Sequence, residues 1–233
     1  MKDYIFPPLI LPLFLLLIFF PLLILLFLFT GTAVFQLVFG VDAETAMLIF
    51  FFILIGSFIN IPLYEREGVM YETAYRVFGL MYYVVKKKEK IVIAVNLGGC
   101  VFPSILAIKA LFDLLLYIPF SAWVLTFLLA SAVIYRFAKP VPNVGIVVPM
   151  LIPPLTAAFF SFLILMIIDA PTILLPKLAF STGVLSALFG ADILHLKDLR
   201  KIGSGVVSIG GAGTFDGIFL TGIFAVVFSV LFV

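Results

Sequence analysis

Charged residues are scarce in this chain of 233 residues: they make up 11% of it, whereas hydrophobic residues make up 65%. The mean hydropathy is +1.36, and no soluble domain of this size needs so much apolar surface. Apolar stretches of about 18–25 residues recur along the chain, which is typical of helices that cross a membrane. The sequence therefore predicts a multi-pass protein of the cell membrane whose main partner is the lipid bilayer.

Cysteine and histidine occur once each, as Cys100 and His195. A single cysteine excludes an internal disulfide framework and a thiolate metal cluster. His195 could join Asp192 and Asp216 around a divalent metal, but a lone histidine at the end of a span is more typical of an interfacial residue. We therefore expect no metal and no cofactor. The net charge of +2 does not indicate nucleic-acid binding, and no nucleic-acid partner is expected.

The fold class that we predict is an all-α polytopic membrane protein with about seven transmembrane helices, and residues 1–233 form a single transmembrane domain. The proposed spans are residues 4–29, 44–62, 98–118, 120–137, 144–168, 176–196 and 214–233. The first stretch is too long for a signal peptide, so we expect it to remain as a span. Several spans contain prolines, read here as breaks that a helix bundle tolerates: Pro7, Pro8, Pro12, Pro21, Pro103, Pro149, Pro153 and Pro154.

The distribution of basic residues predicts the orientation. If the N-terminus lies inside, twelve of the 14 lysines and arginines fall on the inner side; Lys109 and Lys177 are the two others. Because cytoplasmic loops carry an excess of these residues, the sequence predicts an N-in, C-out topology. The twelve are Lys2, Arg66, Arg76, Lys86, Lys87, Lys88, Lys90, Arg136, Lys139, Lys197, Arg200 and Lys201.

Residues 63–97 form the one sizeable polar insertion, which we expect to be a small β-hairpin-like element on the inner side. Within it, MYYVVKKKEKIVIAVN (residues 81–96) predicts two short β-rich runs that flank a charged turn, KKKEK. Either the insertion is a solvated loop whose lysines face anionic lipid, or it is a hairpin whose open edge accepts an extended peptide.

Of the twelve acidic residues, three need an explanation because of their depth in the predicted spans: Asp113, Asp192 and Asp216. Asp113 follows Lys109 by four residues, a spacing that predicts a structural ion pair. Asp192 precedes the inner end of the sixth span by about one helical turn, and Asp216 begins the seventh. Since these two spans are adjacent and antiparallel, Asp192 and Asp216 are expected at the same inner depth. Acids inside a membrane are functional by default.

Two facing carboxylates can catalyse hydrolysis. When they share one proton, one of them activates water against a peptide carbonyl and the other protonates the leaving nitrogen. We therefore predict Asp192 and Asp216 as catalytic residues, with their Cγ atoms within about 8 Å of each other. Glycines near Asp216 let another backbone approach closely. The predicted substrate-binding residues are Gly210, Gly211, Gly213, Thr214 and Gly217.

Other roles for these residues stay open. Thr214 or Asp216 could simply cap the last helix, where a carboxylate is favoured by the helix dipole. Both acids could instead bind protons or cations in an ion-coupled transporter or channel. The chain could also be a noncatalytic scaffold in which both acids are replaceable. Three asparagines at predicted inner span ends could line an ion path, although caps are the more typical role there: Asn60, Asn96 and Asn143.

Two resemblances complete these expectations. The segments PNVGIVVPMLIPPL, FGADILHL and SIGGAGTFDGIFLTGI resemble an uncharacterised family of archaeal and bacterial integral membrane proteins, which implies a membrane location without an established activity. The last two spans also resemble the intramembrane aspartyl proteases of the presenilin, signal peptide peptidase and prepilin peptidase group. Those enzymes carry one aspartate in each of two successive spans, the second within a GxGD motif. Asp192 matches the first by position and Asp216, in GAGTFDG, the second, which implies a transmembrane peptide as substrate.

Overall fold

The computed structural model describes residues 10–77, 81–141, 145–198, 205–211 and 217–233. Seven α-helices lie in this part of the chain, and each overlaps one of the predicted spans. They are α1 (Ile10–Phe39), α2 (Ala43–Gly56), α3 (Phe102–Leu114), α4 (Phe120–Phe137), α5 (Ile152–Ile167), α6 (Leu175–Ala187) and α7 (Gly217–Ser229).

Four helical segments in the described ranges are long and apolar enough to cross a membrane: Phe14–Phe39, Leu97–Leu114, Phe120–Phe137 and Thr172–Asp198. They indicate a membrane protein, as the composition does. The helices α2, α5 and α7 are apolar but shorter. A count of seven spans and the N-in, C-out orientation therefore stay predictions.

Helix α6 lies at the centre of the bundle, where α3, α4, α5 and α7 pack around it. Its residues Leu178–Val184 are all buried, and several of them are small. A Cβ added at Gly183 would lie 3.1 Å from the Cβ of Ala225 and 3.5 Å from the Cβ of Ala157. Small residues allow such close approach between helices in a membrane, so the sequence of α6 fits its position.

The helix α1 differs from the predicted first span, residues 4–29, because it continues to Phe39. The predicted boundary fell at the polar stretch that begins with Thr30, and it was wrong. Polar groups there are satisfied within the helix, since the hydroxyl of Thr32 donates to the carbonyl oxygen of Leu28 at 2.9 Å. The second half of α1 then packs in the core through Phe35, which is fully buried.

In the described part of the chain, prolines lie both at the start of helices and inside them. Pro153 lies in the first turn of α5, where the missing N–H leaves no hydrogen bond unmade, so its interpretation as a break was wrong. Pro103 lies in the first turn of α3 but inside the longer helical segment Leu97–Leu114, and Pro21 lies inside α1, as predicted. Two irregular turns flank the regular helices. The first π-turn (Leu97–Val101) precedes α3, and the second π-turn (Leu188–Asp192) continues α6.

The fold is not all-α, because a three-stranded sheet accompanies the helices. Strands β1 (Asn60–Val77) and β2 (Met81–Asn96) form an antiparallel hairpin. Strand β5 (Gly205–Ile209) pairs in parallel with Ile91–Val95 of β2. A separate two-stranded sheet consists of β3 (Lys139–Val141) and β4 (Gly145–Val147).

The predicted charged turn KKKEK is wrong, since residues 86–90 lie inside β2. The register places Glu67 opposite Lys90 and Glu72 opposite Lys86. The basic run, which resembles a turn in the sequence, therefore continues as a strand. The hairpin itself begins at Asn60 and ends at Asn96.

Candidate functional site

Asp192 is the last residue of the second π-turn. Gly190, in the same turn, lies against α4: a Cβ there would lie 2.7 Å from the carbonyl oxygen of Ser131 and 3.2 Å from the Cβ of Ile134. Only a glycine lets the end of α6 come this close to α4. Single π-turns within α-helices occur frequently at functional sites, so the irregular turn marks Asp192 as a candidate.

The backbone amide of Gly210 lies beside the half-buried carboxyl group of Asp192 and interacts with it. Gly210 follows β5 directly and has a φ of 75°, a conformation that favours glycine. A Cβ at this position would also lie 2.8 Å from the backbone nitrogen of Cys100 and 3.0 Å from its Cα. Gly210 therefore joins the first π-turn, which contains Cys100, to the second, which contains Asp192.

A network of side-chain hydrogen bonds ties the strands together beside Gly210. The Nδ2 of Asn96 donates to the carbonyl oxygen of Ser57 at 2.7 Å and to the Oδ1 of Asn60 at 3.0 Å. The hydroxyl of Ser208 donates to the same Oδ1 at 2.6 Å. The Oδ1 of Asn96 accepts from the backbone N–H of Gly99 at 2.7 Å. The ends of β1, β2 and β5 are thereby linked through Asn60.

His195 is buried in the protein, with 4% of its surface exposed, and its position at the membrane interface stays a prediction. Its Nδ1 lies 3.2 Å from the carbonyl oxygen of Gly190, and its ring centroid lies 4.6 Å from that of Tyr135. The ammonium group of Lys197 donates to the hydroxyl of Tyr135 at 3.1 Å. Within the described ranges, no group of three or more histidine, cysteine or acidic side chains could hold a metal ion.

Three of the predicted substrate-binding glycines lie in described parts of the chain. The space beside Gly210 is filled by Cys100, and a Cβ at Gly211 would lie 2.8 Å from the Oδ1 of Asn60. The close approach that glycine permits at these two positions is made by the protein's own chain. Gly217 begins α7, and a Cβ there would meet nothing within 4 Å. Substrate binding by these glycines stays a prediction.

The other predicted site residues, Asp216, Gly213 and Thr214, lie outside the described residues. The distance between Asp192 and Asp216 and the capping role of Thr214 or Asp216 therefore stay predictions.

Two predictions about polar residues are confirmed. Asp113 accepts from Lys109 at 2.9 Å, as the spacing predicts, and also from Lys177 at 3.3 Å. Asn96 is the cap of the first π-turn. Sequence reasoning missed Cys100 and Ser208 as neighbours of the site. Each is brought there by a contact across more than 100 residues, for which the sequence carries no local signal.

The chain belongs to a protein family of unknown function. The sequence model of that family, described as "Protein of unknown function (DUF1614)", matches residues 54–228, which is most of the chain. The predicted resemblance to an uncharacterised family is thereby confirmed. No curated protein and no solved structure matches the chain. The resemblance of the last two spans to the intramembrane aspartyl proteases gains no support from these comparisons.

Proposed function

We propose that this member of the DUF1614 family is an intramembrane aspartyl-type protease, which hydrolyses peptide bonds of membrane-associated substrates with Asp192 and Asp216. The observation that carries the proposal is the proximity of the Gly210 amide to the carboxyl group of Asp192. Gly210 begins the glycine-rich stretch of sequence that leads to Asp216, so this stretch starts beside Asp192.

The packing of α6 against α7 supports the same pairing. A Cβ at Gly222 would lie 3.0 Å from Phe180, and Gly222 also packs against Val184. The two helices are antiparallel. Residues that follow Val184 and residues that precede Gly222 by the same number of positions therefore lie at similar depths in the membrane. Asp192 follows Val184 by eight residues along the chain, and Asp216 precedes Gly222 by six. We therefore expect the two carboxyl groups at one depth.

In the proposed reaction, the carboxylate of one aspartate removes a proton from water, and the water oxygen attacks the peptide carbonyl. The protonated partner gives its proton to the leaving nitrogen as the C–N bond breaks. Asp192 and Asp216 share these two roles, and the proton returns to the pair after each cycle. No cofactor takes part.

The test is proteolysis by the purified full-length protein in liposomes, with a panel of transmembrane peptides from about pH 4 to about pH 8. Wild type is compared with Asp192→Asn and Asp216→Asn. The matched control is Asp169→Asn: Asp169 is exposed and has a φ of 53°, which asparagine adopts readily. We expect cleavage by wild type and the control alone. Cleavage that survives either of the other substitutions, or a wild type without activity, would overturn the proposal.

A second candidate is an ion-coupled transporter or channel that uses the same acids. The observation that favours it lies in the bundle core, where the hydroxyls of Ser131, Ser161 and Thr182 are buried and, within the described part of the chain, have no hydrogen-bond partner. Buried polar atoms of this kind call for a water or an ion as an explanation. Sodium or proton flux in liposomes that is lost in Asp192→Asn would support transport. If the folded protein showed neither ion flux nor proteolysis, the role as a noncatalytic scaffold would be the one that is left.

A further inference from the structure

We infer that Asn96 is a positioning residue, which holds Gly210 against Asp192 from two sides. The consequence for catalysis rests on the proposed function, whereas the consequence for the structure does not. Asn96 ends β2 and is 1% exposed. It does not need to contact Asp192 itself, because its hydrogen bonds fix both segments that meet at Gly210.

The first side is the π-turn that contains Cys100. The Oδ1 of Asn96 accepts from the backbone N–H of Gly99 at 2.7 Å and so caps the first π-turn. The next residue, Cys100, provides the backbone that packs against Gly210. Loss of this cap frees the turn that packs against Gly210.

The second side is strand β5. The Nδ2 of Asn96 donates to the Oδ1 of Asn60, and the hydroxyl of Ser208 donates to the same atom. Ser208 precedes Gly210 by two residues, and the strand register pairs it with Ala94 of β2. Asn96 therefore orients the Asn60 amide, and Asn60 in turn fixes the end of β5 from which Gly210 extends.

Asparagine suits this position because its amide has an acceptor oxygen and two donor hydrogens. The Oδ1 of Asn96 accepts from the N–H of Gly99, and its Nδ2 donates to oxygens of Ser57 and Asn60. An aspartate would still accept from the N–H of Gly99. Its second carboxylate oxygen, however, would face the acceptor oxygens of Ser57 and Asn60 without a hydrogen to donate. An alanine would lose all three bonds. Asn96→Asp thus breaks the second side and keeps the first, whereas Asn96→Ala breaks both.

In the proposed protease, release of Gly210 displaces the carboxyl group of Asp192. A misplacement of about 1 Å at a reacting group costs on the order of 10²-fold in rate. We therefore expect Asn96→Ala to lower kcat by about a hundredfold and to leave KM unchanged, since an interaction that acts only in the transition state changes kcat alone. If the substitution only reduced the amount of folded protein, kcat calculated per folded molecule would stay at the wild-type value.

The experiment uses full-length protein in liposomes and two readouts that do not require activity. The first is the labelling rate of Cys100, the one cysteine of the sequence, with a membrane-permeable maleimide. The second is the infrared band of the Asp192 carboxyl group, assigned by its loss in Asp192→Asn. In Asn96→Ala we expect labelling to rise on the order of tenfold, as local opening exposes a buried thiol, and the band to shift.

Two further variants keep the outcome decisive. Ser181→Ala removes the partner of a different buried hydrogen bond, from Trp123, and should change neither readout. Ser208→Ala breaks the second side alone and decides the question if Asn96→Ala does not fold. The inference is overturned if Asn96→Ala and Ser208→Ala match Ser181→Ala in both readouts.

The two proposals can fail separately. If wild type cleaves no peptide, but the labelling rate and the carboxyl band respond to Asn96→Ala, the protease proposal fails and the positioning role stands. If wild type cleaves peptides, and Asn96→Ala cleaves them at the same rate with an unchanged band, the positioning role fails and the protease proposal stands.

Discussion

Gly98 lies directly against Gly56, where the first π-turn passes the end of α2. A Cβ added at Gly56 would lie 3.0 Å from the backbone nitrogen of Gly98 and 3.1 Å from its Cα. A Cβ at Gly98 would overlap the backbone of Ile53 and Ser57. Since Ser57 also accepts a hydrogen bond from Asn96, the contact between the two glycines holds α2 beside the strands that surround Gly210.

Gly98→Ala should destabilise the protein, because the added methyl group meets backbone atoms that cannot rotate away. Overpacking of this kind costs about 1–3 kcal/mol or more. The measurement is the Tm in detergent. The matched control is Gly217→Ala, where a Cβ meets no described residue within 4 Å. Equal Tm values for the two variants would contradict the close contact.

Ser181→Ala should also lower the Tm, through a different mechanism. The indole N–H of Trp123 donates to the hydroxyl of Ser181 at 3.1 Å, and both groups are buried. The substitution leaves the indole N–H without a partner, at a cost of about 1–3 kcal/mol. Trp123 is the one tryptophan of the sequence, so its fluorescence reports both the unfolding transition and the local change.

The same substitution at an exposed serine of α4 provides the control for this prediction. Ser121→Ala removes no buried partner and should leave the Tm and the emission maximum of Trp123 unchanged. A Ser181→Ala protein with a wild-type Tm would show that the hydrogen bond contributes little.

The carboxyl group of Asp42 should make stability depend on pH. Its oxygens accept from the N–H of Thr45 at 2.8 Å and from the hydroxyl of Thr45 at 3.0 Å. These bonds hold the pKa of Asp42 below its ordinary value of 3.8, and the bond from the backbone N–H of Thr45 has the larger effect. Since the folded pKa lies below the unfolded one, the stabilisation is present above the unfolded pKa and is lost as the pH falls through the folded pKa.

Comparison with Asp42→Asn isolates this effect, because asparagine caps a helix about as well but carries no charge. We expect wild type to have the higher Tm at about pH 6, with a difference that shrinks towards about pH 3 as the carboxylate is protonated. A difference that is constant over this range would show that the charge of Asp42 does not stabilise α2.

Labelling of single cysteines should place the two ends of α5 on opposite sides of the membrane. Lys139 precedes α5, Asp169 follows it, and both are exposed. In a Cys100→Ser background, we expect an impermeant maleimide to reach Lys139→Cys only from the inner side and Asp169→Cys only from the outer side. Labelling of both from one side would show that α5 does not cross, and the reverse pattern would contradict the N-in orientation.

Sequence reasoning located helices well where hydrophobicity ends abruptly. Residues 120–137 were predicted as a span and are helical over the same range, since Pro119 precedes the helix and a basic residue, Arg136, ends it. Boundaries were wrong where a polar residue is satisfied inside a helix, as at Thr32. The basic run within β2 was misread because its pairing partners lie elsewhere in the chain.

The candidate site was predictable in one part only. Asp192 stood out because a carboxyl group within an apolar span is costly. Its partner Gly210 was predicted to contact a substrate, but the described contacts of Gly210 are with Cys100 and Asp192. Neither contact has a local sequence signal, because both depend on how β5 returns to β2 after four helices have intervened.

That return has a consequence for biosynthesis. Gly205 pairs with Ile91, so the ribosome adds the 113 residues 92–204 between the two partners. At about 5–20 residues per second, this takes roughly 6–23 s. During that time the hairpin has already left the ribosome, while the strand that completes the sheet has not been made. The contact between Gly210 and Asp192 can form only afterwards, so the candidate site is among the last parts of the protein to assemble.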